Sequence, residues 1–259
     1  TLLLTVLQPC SSNHTAIMSS KVVLFDLPSQ QGTAWSLNPF KTRMVLNYKK
    51  IDYVTEWIEY PDVAPKLKGF GIPPNPEDAP GRFADYSIPA IKYADGSYQM
   101  DSWPIAQSLE KQYPNPSLHL DDPIVVKIRD HVATMITPLR PLVIPKVPRA
   151  VLNKPSAEYY FETREKSYGK PLEQVEKEAD VEKCWEEAAA PAKEAGDLLR
   201  KNGGPFFLGE TVSYADFILV SMLHFFKRID EDVFMRYMAL DEAFPKVYSA
   251  CEQWLEKQD

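Results

Sequence analysis

Apolar residues first gather without interruption at Val22, Val23, Leu24 and Phe25, between Lys21 and Asp26, the pattern of a strand covered on both faces. The pattern breaks from Leu27 to Asn38 and resumes at helical spacing. Pro39 suits a first turn, Phe40, Met44 and Tyr48 share one face, and Lys49-Lys50 suit a C-terminal end. Ile51 to Tyr60, rich in β-branched and aromatic residues, predicts the next strand. Strand, helix and strand make one right-handed crossover. Pro61 to Asp85, with Pro73, Pro74, Pro76 and Pro80, predicts a loop carrying one short helix. In Ile88-Pro89-Ala90-Ile91 a proline interrupts an apolar run where it cannot donate to a ladder, which predicts either the first residue of an edge strand or a special bend, a cis peptide being the usual kind. Asp95-Gly96 then sits between Ile91-Lys92-Tyr93 and Tyr98-Gln99-Met100, a hairpin signal. Asp101-Ser102 precedes Pro104, Ile105, Ala106 and Leu109, so the pair marks the start of a helix running from Ser102 to Tyr113. Free amides and a hydroxyl at such a start suit a carboxylate, and the bend beside it offers backbone groups to an extended peptide.

Beyond Tyr113 the pattern is helical. Ile124 to Ile136 is amphipathic, after which Pro138, Pro141, Pro145 and Pro148 divide the chain into extended or kinked pieces. With Leu139, Leu142, Val143, Ile144 and Val147 between them, these pieces read either as an apolar pocket wall or as a rigid crossing between helices. Ser156 to Gly169 is rich in aromatic residues, and Leu172 to Lys201 reads as a charged helix or helix pair. Ser213-Tyr214-Ala215-Asp216 has capping-box spacing, with Val212 and Phe217 placed as a hydrophobic staple. Phe217 to Phe226 is apolar almost all round, which predicts a helix in the middle of a bundle.

The order β-α-β, loop, β-β-α is the thioredoxin-like arrangement, so the predicted class is α/β plus all-α. The proline-rich stretch around residues 114–122 separates a domain at 21–113 from an all-helical domain at 123–259, while residues 1–20 read as a disordered leader or a vector-derived segment. Length and a composition of 44% hydrophobic and 25% charged residues agree with two globular domains. A net charge of -7 with no basic stripe excludes a nucleic-acid face. Cys10, Cys184 and Cys251, like His14, His119, His131 and His224, are too scattered for a disulfide framework or a metal site. No apolar run approaches the ~20 residues of a membrane helix. A cytoplasmic setting without structural metal is expected.

With that arrangement the loop after the first strand is where chemistry is expected. It leads through Trp35-Ser36-Leu37-Asn38-Pro39-Phe40 to Lys41-Thr42-Arg43. On this loop, the Ile88-Pro89-Ala90-Ile91 bend, the Asp101-Ser102 pair, and Phe207-Leu208-Gly209 with Ser213 and Asp216, the chain resembles the glutathione transferases from Lys21 to Lys257. Trp35 to Lys49, Glu59 to Pro65 and the Gly71-Ile72-Pro73-Pro74 insertion resemble the fungal etherase-type class, similar to bacterial β-aryl etherases.

The resemblance implies glutathione as co-substrate, with Ser36 at the reactive position and Asn38 adding an amide donor. Ionising a thiol that titrates near ~8.5 requires donors and a positive potential. A hydroxyl in front of a helix N-terminus supplies both, so Ser36 would stabilise the thiolate rather than attack; the alternative is that Ser36 or Asn38 merely caps the helix. By resemblance Ile88, before Pro89, pairs with the cysteinyl unit, Ser102 binds the γ-glutamyl carboxylate and Asp101 holds the ammonium. The cation for the glycyl carboxylate is left open among Lys66, Lys68 and Arg82. An apolar second site is expected near Trp35, Ile136 to Val147 and Tyr159 to Phe161. The stretch from Leu27 to Leu46 holds no tyrosine and no cysteine, which disfavours the tyrosine-using and cysteine-using classes. The expected activity is conjugation or ether cleavage of bulky aromatic electrophiles in detoxification, by a cytosolic homodimer. The rivals are a non-catalytic carrier or regulator of hydrophobic ligands and a glutathione-dependent peroxidase.

Overall fold

The computed structural model describes residues 21–78 and 84–258. The expectation for residues 1–20 lies outside these. Four strands, β1 (Val22–Asp26), β2 (Tyr53–Trp57), β3 (Ala90–Lys92) and β4 (Tyr98–Met100), form one sheet in the order β2-β1-β3-β4. β1 runs parallel to β2 and antiparallel to β3, with Phe25 opposite Ala90. Leu24 and Phe25 are buried, as the unbroken apolar run requires. Helices α1 (Leu37–Tyr48), α2 (Tyr60–Gly69) and α3 (Ser102–Gln112) complete the thioredoxin-like half.

The strand expected over Ile51 to Tyr60 is shorter, because Tyr60 already opens α2. Glu59 is extended, Pro61 needs no amide partner in a first turn, and Asp62 suits the helix start, so these local signals override the β-propensity of Tyr60. Arg43 crosses from α1 into the sheet. Its Nη2 lies 2.8 Å from Asp26 Oδ2, both side chains fully buried, and its Nη1 donates to Thr55 Oγ1 at 3.1 Å.

Between the halves the chain is clamped. Lys49 Nζ donates to Glu110 Oε2 and Tyr113 O at 2.6 Å and to Pro116 O at 2.7 Å. Glu110 in turn accepts from Ser117 Oγ at 2.8 Å. Asp122 then caps α4 (Pro123–Ile136) by accepting from the Ile124 amide at 2.9 Å.

The proline-rich run is a series of short helical pieces rather than extended chain. It includes α5 (Arg140–Val143) and α6 (Val147–Ala150), with 3₁₀ turns at Thr137–Leu139 and Ile144–Lys146. Each of the four prolines falls in the first two residues of its piece, where a missing amide costs nothing, so the prolines restart the helix instead of abolishing it. Next come α7 (Lys154–Tyr168), α8 (Leu172–Glu178) and α9 (Val181–Arg200). Of the single helix or helix pair expected over Leu172 to Lys201, the pair forms, as α8 and α9, divided at Asp180, which accepts from the Lys183 amide at 3.1 Å.

The central helix α10 (Tyr214–Ile229) is buried along nearly all its length. It runs alongside α1: Tyr48 meets Phe217, Ser221 Oγ approaches Met44 Sδ, and His224 meets Phe40 edge to face at 4.6 Å. Two further helices, α11 (Glu231–Met238) and α12 (Ala243–Cys251), complete the helical half, as its overall pattern predicts without marking their bounds. Asp230 caps α11 by accepting from the Val233 amide. Among the described residues no helix is long and apolar enough to cross a membrane, and no cluster suited to a metal ion occurs.

Candidate functional site

Because Phe25 pairs with Ala90, the loop leaving β1 starts beside the bend at Pro89. Both halves hold this loop. Ser29 Oγ donates to Thr33 O, the Gln30 amide to Val151 O, Gln31 Nε2 to Ala150 O, and Arg228 Nη2 to Thr33 Oγ1, at 2.6 to 2.8 Å. Trp35 is anchored by donating from Nε1 to Pro28 O at 3.1 Å. The loop therefore delivers Ser36 to the first turn of α1 from a fixed direction.

Ser36 occupies the N-cap of α1 with an extended backbone, and its carbonyl accepts from the Phe40 amide at 3.2 Å. Its half-buried hydroxyl makes no capping hydrogen bond. A cap serine normally spends its oxygen on a free amide of the first turn. Pro39 has no amide to offer and the Phe40 amide is bonded to the Ser36 carbonyl, so the hydroxyl stands uncapped at a helix end that favours an anion. Asn38 is engaged instead: its Oδ1 accepts from Lys41 Nζ at 2.9 Å. Burial pulls the Lys41 ammonium down to about 8, and the Asp101 carboxylate pushes in the opposite direction.

The Ile88–Pro89 peptide is cis, and the Pro89 carbonyl accepts from the Asp101 amide at 3.0 Å. Asp101 has a φ of 76°, a left-handed value uncommon for a residue with a Cβ. In that conformation its side chain caps α3 by accepting from the Trp103 amide at 3.2 Å. Ser102 follows, buried in the first turn, and its carbonyl accepts from the Tyr214 hydroxyl at 3.1 Å. The expected residues thus fall on two neighbouring helix starts. Asn38 and Lys41 share a hydrogen bond on the first turn of α1, and Pro89 and Asp101 share one at the start of α3.

Lys41 was not singled out by sequence as a site residue; its only signal was membership of the Lys41-Thr42-Arg43 motif. Of the three cations left open, Lys66 is paired with Glu56, Lys68 is exposed on α2, and Arg82 lies outside the described residues.

A wall of aromatic rings stands between the halves. Trp35 is buried against Tyr60 and Phe225, with ring centroids 6.4 Å away in each case. Tyr60 stacks on Tyr159 at 6.0 Å and meets Tyr160 at 5.7 Å, while the Arg164 guanidinium lies over the Tyr60 and Tyr160 rings. Glu59 ties the wall down by accepting from Asn153 Nδ2 at 2.8 Å and from the Ser156 hydroxyl. Phe161 is exposed, on the solvent side of α7. Tyr60, Phe225 and Arg164 were missed by sequence, because they come from three distant segments that only the fold assembles. Burial raises the Tyr60 phenol to about 12, so it stays a neutral ring at physiological pH.

Comparison with known proteins agrees with this architecture. A sequence profile of the glutathione S-transferase N-terminal domain matches residues 35–112, and one of the C-terminal domain matches residues 128–254. The glutathione S-transferase-like protein ustS of Aspergillus flavus is 34% identical over 265 aligned residues, covering 94% of each chain. A glutathione S-transferase of Ceriporiopsis subvermispora, solved in complex with glutathione, superposes with a TM-score of 0.81 at 29% identity, covering 93% of this chain and 100% of that one. Glutathione transferase GSTFuA3 of Phanerochaete chrysosporium gives a TM-score of 0.82 at 27% identity, over 93% of this chain and 99% of that one. Profiles, a relative matched along nearly its whole length, and a helical half packed on a four-stranded sheet all agree: this chain belongs to the glutathione S-transferase family.

Proposed function

We propose that this chain is a glutathione transferase in which Ser36 keeps the sulfur of bound glutathione ionised for attack on a bulky aromatic electrophile or aryl ether, as in the etherase-type class. The observation that carries the reading is the Ser36 hydroxyl, placed at the mouth of α1 without a capping bond. Residues 21–113 would hold glutathione, 114–122 would link the halves, and 123–259 would supply part of the second site, in a cytosolic homodimer. Ile88 and Pro89 would face the cysteinyl backbone, and Asp101 and Ser102 the γ-glutamyl head. The aromatic wall around Trp35 and Tyr60 would meet the second substrate.

A free thiol with a pKa near ~8.5 is only about 3% ionised at pH 7, and lowering that pKa by about two units makes the thiolate the major form. The Ser36 hydroxyl would donate to the sulfur while the α1 N-terminus adds about 0.3–1 kcal/mol of favourable potential. The thiol proton leaves to solvent. The thiolate attacks the electrophilic carbon, the C–S bond forms, and the C–X bond breaks with its electron pair going to halide or phenolate. Cys184 and Cys251 do not compete as nucleophiles, since burial raises both thiols and both lie in the helical half.

Replacing Ser36 with Ala tests this. Glutathione thiolate absorbance titrated against pH should move its midpoint upward and turnover should fall, while affinity for S-methylglutathione stays the same. Unchanged kinetics would favour the ligand carrier, and turnover of hydroperoxides alone would favour the peroxidase.

A further inference from the structure

We propose that Arg228 is a positioning residue for the Ser36 hydroxyl: from the last turn of α10 it holds Thr33 and so sets the direction in which the chain enters α1. The assignment rests on the Ser36 reading above and names what keeps that hydroxyl aimed.

One helix touches the chain on both sides of Ser36. Arg228 Nη2 donates to Thr33 Oγ1 at 2.8 Å, the Phe225 ring lies 6.4 Å from that of Trp35, and His224 meets Phe40 at 4.6 Å. His224, Phe225 and Arg228 fall on one face of α10, at i, i+1 and i+4, and the residues they meet bracket position 36. Of the three contacts the guanidinium bond alone fixes a donor–acceptor direction. Thr33 is held by its main chain as well. Its amide donates to Ser29 Oγ at 3.2 Å, and its carbonyl accepts from the same buried hydroxyl at 2.6 Å. Only Ala34 and Trp35 separate Thr33 from Ser36, so a change in its backbone reaches the mouth of α1.

Folding alone gives little reason for an arginine at this place. Arg43, which leaves α1 for the sheet, is fully buried and paired with Asp26. Arg228 is half-buried, has no carboxylate within ion-pair distance among the described residues, and leaves its buried Nε without a partner. Burial lowers its pKa with no anion opposing. A guanidinium desolvated in this way is a net cost to the fold, and what it holds is the loop that carries Ser36.

The bond can be cut from either end. The thiolate absorbance of bound glutathione is titrated against pH in Arg228→Gln, Thr33→Val, the double variant and Thr33→Ser, and S-methylglutathione affinity is measured calorimetrically in each. The expected result is an upward midpoint shift of about one pH unit in each single deletion, about the same shift in the double variant, recovery in Thr33→Ser, and S-methylglutathione affinity within about twofold of wild type throughout. Thr33→Val leaves α10 untouched, so it carries the test by itself if Arg228→Gln does not fold. A midpoint that moves in Arg228→Gln but not in Thr33→Val would overturn the assignment and place the charge of the arginine itself at the sulfur. Shifts that add in the double variant, a loss of S-methylglutathione affinity along with the midpoint, or no shift in either single variant would overturn it too. Ser36→Ala in the same titration keeps the two readings apart. A midpoint unmoved there, or failure of wild-type protein to bind S-methylglutathione, would overturn the Ser36 reading and this assignment with it; a midpoint moved by Ser36→Ala alone would overturn only this assignment.

Discussion

Ser36 and Ser213 both stand at the N-cap of a helix, one opening α1 and the other α10, but their hydroxyls are used differently. At Ser213 the network is closed. Asp216 Oδ2 accepts from the Ser213 amide at 2.7 Å and from its hydroxyl at 3.0 Å, and Oδ1 accepts from the Phe207 amide at 2.9 Å. Everything there is buried, and burial raises the Asp216 carboxyl to about 7 although all three bonds favour its charge. At Ser36 the hydroxyl is left uncapped and partly open. The same residue type in the same helical position thus closes its bonds inward at one helix start and leaves its hydroxyl uncommitted at the other.

Substitutions at the two ends should separate these roles. The largest effect is expected for Asp216→Ala, which strands three buried donors and should cost on the order of 3–5 kcal/mol in urea denaturation. The folded fraction should keep its affinity for S-methylglutathione; weakened binding would mean that the closed network also serves the site. Ser36→Ala should lower turnover about 100-fold, equivalent to about 2.7 kcal/mol of transition-state stabilisation, with a melting temperature within about 1 °C of wild type. A melting shift of several degrees would instead make Ser36 a structural cap.

Between the two serines, the packing of α10 on α1 carries its own pH dependence through His224. Burial first, and then Arg228 and Lys227, depress its pKa to about 3, and its Nδ1 pairs with the Tyr248 hydroxyl at 2.7 Å. A histidine titrating near ~6.5 when unfolded contributes full stability above that pH and loses it as the pH falls toward the folded value, about 2 kcal/mol by pH 5. Denaturation at pH 8 and pH 5 should show this loss, and His224→Gln should flatten it. The smallest effect is expected for Ser213→Ala, about 1 kcal/mol with unchanged kinetics.

The elements themselves were largely legible in the sequence, since an unbroken apolar strand, a helical stripe and a capping box each declare themselves within a dozen residues. Tyr60 was misread as strand because its β-propensity was weighed before the proline that follows it. Pro138 to Pro148 were read as breaks because proline disfavours a helix interior, but here each sits where a helix begins. The helix starts at Ser36 and Asp101 were also legible. Legibility ended where distant segments meet: nothing local joins Trp35 to Tyr60 or to Phe225. Whether a cap hydroxyl is spent or free is likewise decided by its neighbours in space.

Tyr214 is the first residue of the central helix, and its hydroxyl also holds the Ser102 carbonyl, while its amide donates to Leu118 in the crossing segment. One residue thus ties the crossing segment to the start of α3, the end that would cradle the γ-glutamyl head in the proposed function. The halves are not interchangeable cassettes: a chimera that exchanges the helical half must bring a tyrosine to that spot, or the start of α3 will lose one of its supports.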